Sequence, residues 1–430
     1  MFDRLFALET FGIKLGLRNI SRLCEALGHP ERAFASVHIG GTNGKGSVTA
    51  MVHAGLLAAG IPAARYTSPH LTDLTERFVI GNAPATLDEV QEVAEDVLDL
   101  ADRLVRDGTA SAPPTFFEAT TAMAFELFRR RKVRAAIIEV GLGGRLDATN
   151  VLSPLVSAIT SIGLDHQQHL GSTLAAIAEE KAGILKPGTP VVLGTLPPEA
   201  DGVIVRLAGA SGSPVIRSAD QITTSTRVED GRTFLEVRTP ANDYGTVPLA
   251  LRGQHQVGNA LVALRIMEVV RERGLPMPFE AIARGLAKAA WPGRLELIDA
   301  RAGRRLLLDA AHNPDGIAAL ATYLDRWHPE RPRLIFGAMR DKEIGRMLRG
   351  LLPSVGTVCV AAPASPRAAA PDELMAAIRA IDPLRDVTAA PDPAHAVDWA
   401  LAGPGTVCVA GSIFLVGAVR DVLRRRAILP

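Results

Sequence analysis

Through the first 290 residues, short apolar runs alternate with stretches in which apolar side chains recur every three or four positions. The runs at 37–39, 135–140, 156–161 and 191–194 predict buried strands, and the periodic stretches at 47–59, 87–106, 116–131 and 173–185 predict helices. Residues 1–34 read as helical. Alternation of this kind is the pattern of a mainly parallel sheet with helices on both faces.

Residues 214–251 break the pattern. Val215-Ile216, the run 233–237 and the run 246–249 read as short strands with turns such as Glu229-Asp230-Gly231, which predicts a small antiparallel appendage. Helices follow at 257–273 and 279–290. Trp291-Pro292-Gly293-Arg294 then interrupts, and Pro with Gly fits a linker. Beyond it a second alternation begins. Strands are predicted at 305–309, 333–336, 355–360 and 406–410, with helices starting at Gly316, Asp341, Asp372 and Phe414. The expected organisation is an α/β domain over 1–290, a linker over 291–296 and a smaller, Rossmann-like α/β domain over 297–430. The Ala- and Pro-rich segment 363–371 reads as an exposed loop.

The first predicted strand runs into Gly40-Gly41-Thr42-Asn43-Gly44-Lys45-Gly46-Ser47, and a helix follows directly. Glycines let the backbone approach phosphate oxygens, and the free N–H groups of a helix start point at an anion. Lys45 adds a mobile positive charge and Ser47 a hydroxyl suited to Mg²⁺. Strand, loop and helix together imply a nucleoside triphosphate site. A bare glycine turn is the bland alternative, and Lys and Ser at these offsets count against it.

Such a site needs acidic or polar metal ligands at neighbouring strand ends. Glu139 closes the run Ala135-Ala136-Ile137-Ile138, where an unpaired charge would be costly to bury. A metal ligand explains it, and an Arg partner is the other explanation. His166 follows the strand at 156–161, at the end where open α/β sheets place their ligands. A neutral imidazole can ligate a metal, although a lone histidine is more often a satisfied surface or core residue. Lys181, taken alone, reads as a solvated helix charge.

Composition narrows the field. The 430 residues carry 47 basic and 46 acidic side chains, which gives no reason to expect nucleic acid as a partner. Aromatics make up 4%, too few for base-stacking platforms, while 47% hydrophobic content supports large cores. Cys24, Cys359 and Cys408 form no CxxC pair and read as buried small hydrophobes. With no signal core and no run long enough for a membrane span, the expected home is a reducing cytoplasm.

Six motifs then occur in order: Gly41-Thr42-Asn43-Gly44-Lys45-Gly46-Ser47, Thr67-Ser68-Pro69-His70-Leu71, the block from Glu139 to Asn150, Leu164-Asp165-His166, Glu180-Lys181-Ala182-Gly183-Ile184 and Asp309-Ala310-Ala311-His312-Asn313. Together they resemble the Mur-ligase superfamily, specifically its folate branch of folylpolyglutamate synthases and bifunctional dihydrofolate synthase/folylpolyglutamate synthases. The second and third motifs are the specific ones. The opening Leu15-Gly16-Leu17-Arg18-Asn19-Ile20 also resembles the family's first helix.

The resemblance implies an ATP-dependent ligase that joins L-glutamate to dihydropteroate, to the glutamyl tail of reduced folates, or to both, through an acyl phosphate. It implies that Thr42, Asn43, Gly44, Lys45, Gly46 and Ser47 cradle ATP, with Asn259, Arg294 and Asp309 completing a nucleotide site at or beyond the linker. Ser47, Ser68, Glu139 and His166 would ligate Mg²⁺ in two sites, with Lys181 resembling the family's carbamylated lysine. Lys45, Lys181 and His312 would be catalytic, and a monovalent cation is left open. Pro114, Thr115, Phe116, Phe117, Gly144, Arg145 and Asp147 correspond to pterin-side positions, and Ser412 to a position near glutamate or phosphate. A Phe116 or Phe117 ring could stack on the pterin or start a helix core, and Asp147 could offer a planar acceptor pair. A monomer is expected. Another Mur-type ligase acting on cell-wall precursors and a non-catalytic nucleotide switch are the rival readings. Gln167 and Ala310 depart from the family pattern, which has Thr and Gly there.

Overall fold

The computed structural model describes residues 2–12, 14, 16–229, 231–300 and 303–429. Leu15 and Asp230, used in the reading above, lie outside the described residues. The chain divides into two compact units. Unit 1 comprises Met1–Arg227, Phe234–Ala250 and Gln256–Ala290, and unit 2 comprises Val228–Thr233, Leu251–His255 and Trp291–Pro430.

Strands β1 (Ala35–Gly40), β2 (Ala63–Tyr66), β3 (Phe78–Ile80), β4 (Ala83–Pro84), β5 (Ala135–Glu139), β6 (Val156–Ile159), β7 (Val191–Leu193) and β8 (Val215–Arg217) form one sheet. Their order is β4-β3-β2-β5-β1-β6-β7-β8. All pairings are parallel except β2–β3 and β3–β4. Central strands bury both faces, which is why β5 is uninterruptedly apolar up to Glu139. The helices of unit 1 are α1 (Asp3–Ala7), α2 (Arg18–Ala26), α3 (Lys45–Ala58), α4 (Leu87–Arg106), α5 (Phe116–Arg130), α6 (Gln167–Leu170), α7 (Leu174–Ala182), α8 (Pro198–Ser211), α9 (His255–Glu272) and α10 (Phe279–Lys288). One core joins α2, α4 and α5 to β2 and β5 through Ile20, Val97, Phe125, Tyr66 and Ile138. Another joins α7 and α8 to β6 and β7 through Ile177, Ile204, Ile159 and Val191.

The register matters for function. Ile39 is level with Glu139 and Gly40 with Ile159, so the carboxyl ends of β5, β1 and β6 lie side by side with β1 in the middle. Tyr66 is level with Ile138, which brings the segment after β2 to the same edge. This is where open α/β sheets collect ligands.

A three-stranded sheet of β9 (Thr223–Glu229), β10 (Arg232–Arg238) and β11 (Asp243–Pro248) follows. The appendage predicted for 214–251 therefore needs one correction. Val215-Ile216 belongs to β8 and pairs in parallel with β7. The third strand of the small sheet is β9, whose Thr- and Ser-rich sequence is exposed at nearly every position and carries no apolar alternation.

Unit 2 holds β12 (Glu296–Asp299), β13 (Arg305–Leu308), β14 (Arg333–Phe336), β15 (Val358–Val360), β16 (Val387–Ala389) and β17 (Thr406–Ala410). The sheet order is β12-β13-β17-β14-β15-β16, parallel but for the edge strand β12. Its helices are α11 (Pro314–Trp327), α12 (Ile344–Leu351), α13 (Pro371–Ile381), α14 (Pro393–Ala402) and α15 (Ile413–Arg425). Leu307, Leu334, Phe336 and Cys408 pack against Leu324, Leu348 and Leu374 in its core. No helix of the protein is long and apolar enough to cross a membrane, among the described residues.

Candidate active site

The loop after β1 is shaped by two glycines. Gly41 has φ 141°, and a Cβ there would fall 2.0 Å from Thr160 Oγ1. Gly44 has φ 87°, and a Cβ there would fall 2.4 Å from Asn259 Oδ1. Both the conformation and the space exclude a side chain. The end of β6 clamps the loop from its other side. Thr42 N–H donates to Ser161 O at 2.8 Å, and Asn43 N–H to Ser161 Oγ at 2.8 Å. The Thr160 and Ser161 hydroxyls donate to Asn43 O at 2.6 and 3.0 Å.

Gly44 is the N-cap of α3, with no side-chain oxygen occupying the helix start. Lys45 folds its ammonium back onto Gly41 O at 3.1 Å and Thr42 O at 3.3 Å. Ser47 is buried one turn further on, and Gln256 Nε2 donates to its hydroxyl at 3.2 Å. Asn259 Nδ2 donates in turn to Gln256 Oε1 at 2.9 Å, so α9 braces the end of the loop that enters α3.

Lys181, on the last turn of α7, is buried, and its amine donates to Gly41 O at 3.0 Å. Two lysine amines thus converge on one carbonyl oxygen. Burial and then the positive charge of Lys45 push the Lys181 pKa down to about 7, against the pull of Asp165 and Asp147. Glu139 is buried at the end of β5, and it favours the charged form of Arg65 on the adjacent β2. The alternative of an Arg-supported glutamate therefore has substance beside the metal reading. His166 adopts φ 51° just before α6, with Nε2 3.9 Å from Asp165 Oδ2. Ser68 begins the cis Ser68–Pro69 peptide. The loop beyond it is gathered by Glu76, which accepts from Leu71 N–H at 2.7 Å and from Thr72 N–H at 3.3 Å.

A second group lies at the start of α5. Pro114 is buried, and Thr115 caps the helix in a reciprocal pair with Glu118. Phe117 stands over Gly141, where a Cβ would come within 2.4 Å of its Cζ. Phe116 stacks on Phe6 with ring centroids 5.8 Å apart, and the Arg77 guanidinium lies 5.1 Å from its centroid. Asp147 is buried, and its Oδ1 receives both the N–H and the hydroxyl of Thr149. Its Oδ2 receives Leu142 N–H at 2.8 Å. The planar acceptor pair expected of Asp147 is thus engaged at both oxygens by its own loop, with the Gly141 backbone as a further donor. Gly144 and Arg145 face α7 instead. A Cβ on Gly144 would lie 2.8 Å from the carbonyl oxygens of Glu180 and Lys181, and Arg145 Nη2 pairs with Glu180 at 2.7 Å.

In unit 2, Arg294 and Asp309 lie close enough that the guanidinium favours the ionised carboxylate, while burial raises the Asp309 pKa. His312 donates Nδ1–H to Ala310 O at 2.9 Å, so in the neutral ring Nε2 is the acceptor nitrogen. Gly411 N–H donates to Ala311 O at 2.9 Å and brings buried Ser412, the cap of α15, beside the 310–312 turn. Ala310 is not among the residues with positive φ, so the departure from glycine costs this turn no strain. Sequence reasoning passed over Thr160, Ser161 and Gln256. A pair of hydroxyl residues ending a buried strand was the available signal for the first two.

Two protein-family models match the chain: the Mur ligase middle domain over residues 39–267 and the Mur ligase glutamate ligase domain over 293–413. The chain is a Mur-type ligase. It is 34% identical to the dihydrofolate synthase/folylpolyglutamate synthase of Bacillus subtilis over 96% of each chain. It is 31% identical to the Escherichia coli enzyme of the same name, over 97% of this chain and 94% of that one. The Mycobacterium tuberculosis folylpolyglutamate synthase solved with ADP and AMPPCP superposes with a TM-score of 0.89 at 32% identity, covering 97% and 98% of the two chains. An E. coli structure with DHPP and ADP gives 0.84 at 30% identity, covering 99% and 97%. The chain belongs to the dihydrofolate synthase/folylpolyglutamate synthase family, a family of ATP-dependent ligases.

Proposed function

We propose that the protein joins the amine of L-glutamate to the carboxylate of dihydropteroate and to the terminal glutamyl carboxylate of reduced folates, converting ATP to ADP and phosphate. The observation that carries this is the pair of lysine amines on Gly41 O, 3.1 Å from Lys45 and 3.0 Å from Lys181. Two cations on one carbonyl repel each other. The arrangement suits a site built to receive a polyanion, with one of the two amines held neutral.

A carboxylate is a poor acyl donor because oxide would have to leave. Transfer of the γ-phosphoryl group to it gives an acyl phosphate and ADP. The glutamate amine then attacks the acyl carbon, the C–O bond to phosphate breaks, and amide, phosphate and a proton are the products. Lys45 and the N–H groups opening α3 would hold the β- and γ-phosphates and offset the charge gathering on the transferred group. Arg294, Asp309 and Asn259 would hold the rest of the nucleotide. Nε2 of His312 is suited to take a proton from the incoming ammonium, because Nδ1 already carries its own. Phe117 would orient the pterin, with Asp147 holding the loop beside it.

The side chains present also suit Mg²⁺. Among the described residues no three His, Cys, Asp or Glu side chains form a metal cluster, so an ion here draws on mixed donors. Ser47, Ser68, Glu139 and His166 offer them, and substrate phosphates and water complete such a shell. Bound there, Mg²⁺ would neutralise charge on the triphosphate. Lys181 suits carbamylation. A neutral amine adds to CO₂, forming an N–C bond and releasing one proton, and a pKa near 7 leaves a large neutral fraction at physiological pH. The expected outcome is that CO₂-depleted buffer lowers turnover and bicarbonate restores it, with Lys181→Ala insensitive to both. Equal response of wild type and variant would remove the carbamate.

The deciding assay is ADP release with dihydropteroate and with tetrahydrofolate, each with and without glutamate. ADP appearing only when acid and glutamate are both present, for both acids, is the expected result. Release with tetrahydrofolate alone of the two acids narrows the protein to a folylpolyglutamate synthase, and release with neither overturns the reading.

A further inference from the structure

Arg294 sits in a turn whose backbone is pinned on both sides. Gly293 N–H donates to Glu296 Oε2 at 2.8 Å, and Leu295 N–H donates to Asp309 Oδ2 at 2.9 Å. Ala310 N–H returns to Gly293 O at 2.8 Å. The residue before Arg294 has φ 70° and the residue after it φ 46°. Leu295 is an ordinary L-residue in the left-handed region, and it is 1% exposed in the core of unit 2. Such a conformation persists only where its surroundings over-determine it. Asp309 supplies one restraint and already belongs to the nucleotide set. Glu296 supplies the other, and a single carboxylate on a turn would be free to rotate away.

Arg420 prevents that. It lies on α15, its side chain is 8% exposed, and Nη2 is 3.2 Å from Glu296 Oε1. Nη1 approaches both carboxylate oxygens at 3.4 Å. The fork holds the carboxylate plane while Oε2 accepts Gly293 N–H, and little side-chain freedom remains. Nothing about a structural domain core requires an ion pair at this place, since replacing a buried pair by apolar groups is often neutral for stability. Its location beside the turn that presents Arg294 is what singles it out.

We propose that Glu296 and Arg420 are positioning residues for nucleotide binding: the ion pair locks the turn that aims Arg294. The proposal rests on the reading of Arg294 as a nucleotide ligand. Glu296→Ala is expected to raise KM for ATP at least tenfold, with KM for glutamate and for the acceptor acid unchanged within twofold. Glu296→Gln, which keeps an acceptor for Gly293 N–H, should recover most of that loss. Arg420→Lys keeps the charge without the fork and should raise KM for ATP about threefold.

Arg294→Ala is measured beside them. Because Glu296 acts through Arg294, the double variant Glu296→Ala/Arg294→Ala should be no worse than Arg294→Ala. If Arg294→Ala keeps the wild-type KM for ATP, the nucleotide reading of Arg294 fails. If that variant loses ATP affinity while Glu296→Ala and Arg420→Lys keep theirs, the positioning proposal alone is overturned. Additive losses in the double variant, or an equal rise in all three KM values, overturn it as well. Should Glu296→Ala fail to fold, Arg420→Lys and Glu296→Gln decide by the same KM comparison.

Discussion

A single Cβ decides the phosphate loop. Gly44 combines φ 87° with an Asn259 oxygen 2.4 Å from any added methyl. Left-handed backbone costs an L-residue about 1–2 kcal/mol, and the clash adds to it. Gly44→Ala must either flatten the loop or push Asn259 away, and each disrupts the residues proposed to hold the nucleotide. ADP affinity measured by calorimetry should fall at least tenfold, with the unfolding temperature lowered by only a few degrees. Affinity within twofold of wild type would show that the loop does not need this conformation. Lys45→Ala tests the charge in place of the shape. Its ammonium is held by the Gly41 and Thr42 carbonyls. The variant should fold normally and lose ATP-dependent ligation, and wild-type turnover would remove the loop from the mechanism.

Elements carry the loop, and their packing can be tested too. Helix α3 crosses α10 at a glycine pair, where a Cβ on Gly285 would meet Gly55 Cα at 2.5 Å and Met51 O at 3.0 Å. The listener on α3 is backbone, which cannot rotate aside. Gly285→Ala should destabilise unit 1 by about 1–3 kcal/mol, the range for an overpacked core, and raise KM for ATP by shifting the helix that begins at Lys45. Denaturant unfolding and KM measured on one preparation check both, and a neutral effect on stability would mean the crossing is looser than drawn. The crossing itself was not legible in the sequence, because glycines inside a helical pattern read only as weak points. Strands β1, β5, β6 and β7 were legible because parallel strands buried on both faces are solid apolar runs. The short strands β2 and β4 and the polar β9 lack such runs, β3 is only three residues long, and pairing rather than local pattern makes them strands. In unit 2, the short β12 and β16 escaped for the same reason, and helix α14 was also missed. The site divides likewise. Of the residues proposed for the site, Lys45, Ser47, Glu139 and His166 stand out as candidates by motif and strand end, while Gln256 reaches Ser47 across 209 positions of sequence and no local signal announces it.

For the whole molecule, 47 basic and 46 acidic side chains nearly cancel, so general charge repulsion contributes little to its pH response. Buried titratable groups dominate instead: among the described residues of unit 1 two histidines are fully enclosed, and a third, the half-buried His70, is lowered to about 4 by burial and then by Arg77. His38 on β1 is 0% exposed, and burial, then the charge of Lys186, lowers its pKa to about 3. His53 on α3 is 3% exposed, and burial, then Arg65, lowers its pKa to about 4. Both are neutral in the folded chain, and His38 shares a 2.8 Å hydrogen bond with Thr149. In the unfolded chain each titrates near pH 6.5. A depressed folded pKa contributes stability that is complete above the unfolded value and is lost as pH falls toward the folded one. From pH 6.5 to about 4 the unfolded state therefore binds up to three more protons than unit 1 does. At pH 5 the losses from His38 and His53 together approach about 4 kcal/mol, from 1.36 kcal/mol per pH unit for each group, and His70 adds to them. Asp147, which burial raises, works in the opposite sense once pH reaches its own range, so the loss should be steepest above pH 5. Denaturant unfolding of unit 1 at pH 7.5, 6.0 and 5.0 is expected to give falling free energies with a steepening slope. His53→Gln, which keeps a donor for the Ala63 carbonyl, should cut the slope by about a third. A flat profile in the wild-type protein would mean that these two rings are reached by water and protonated in the folded state.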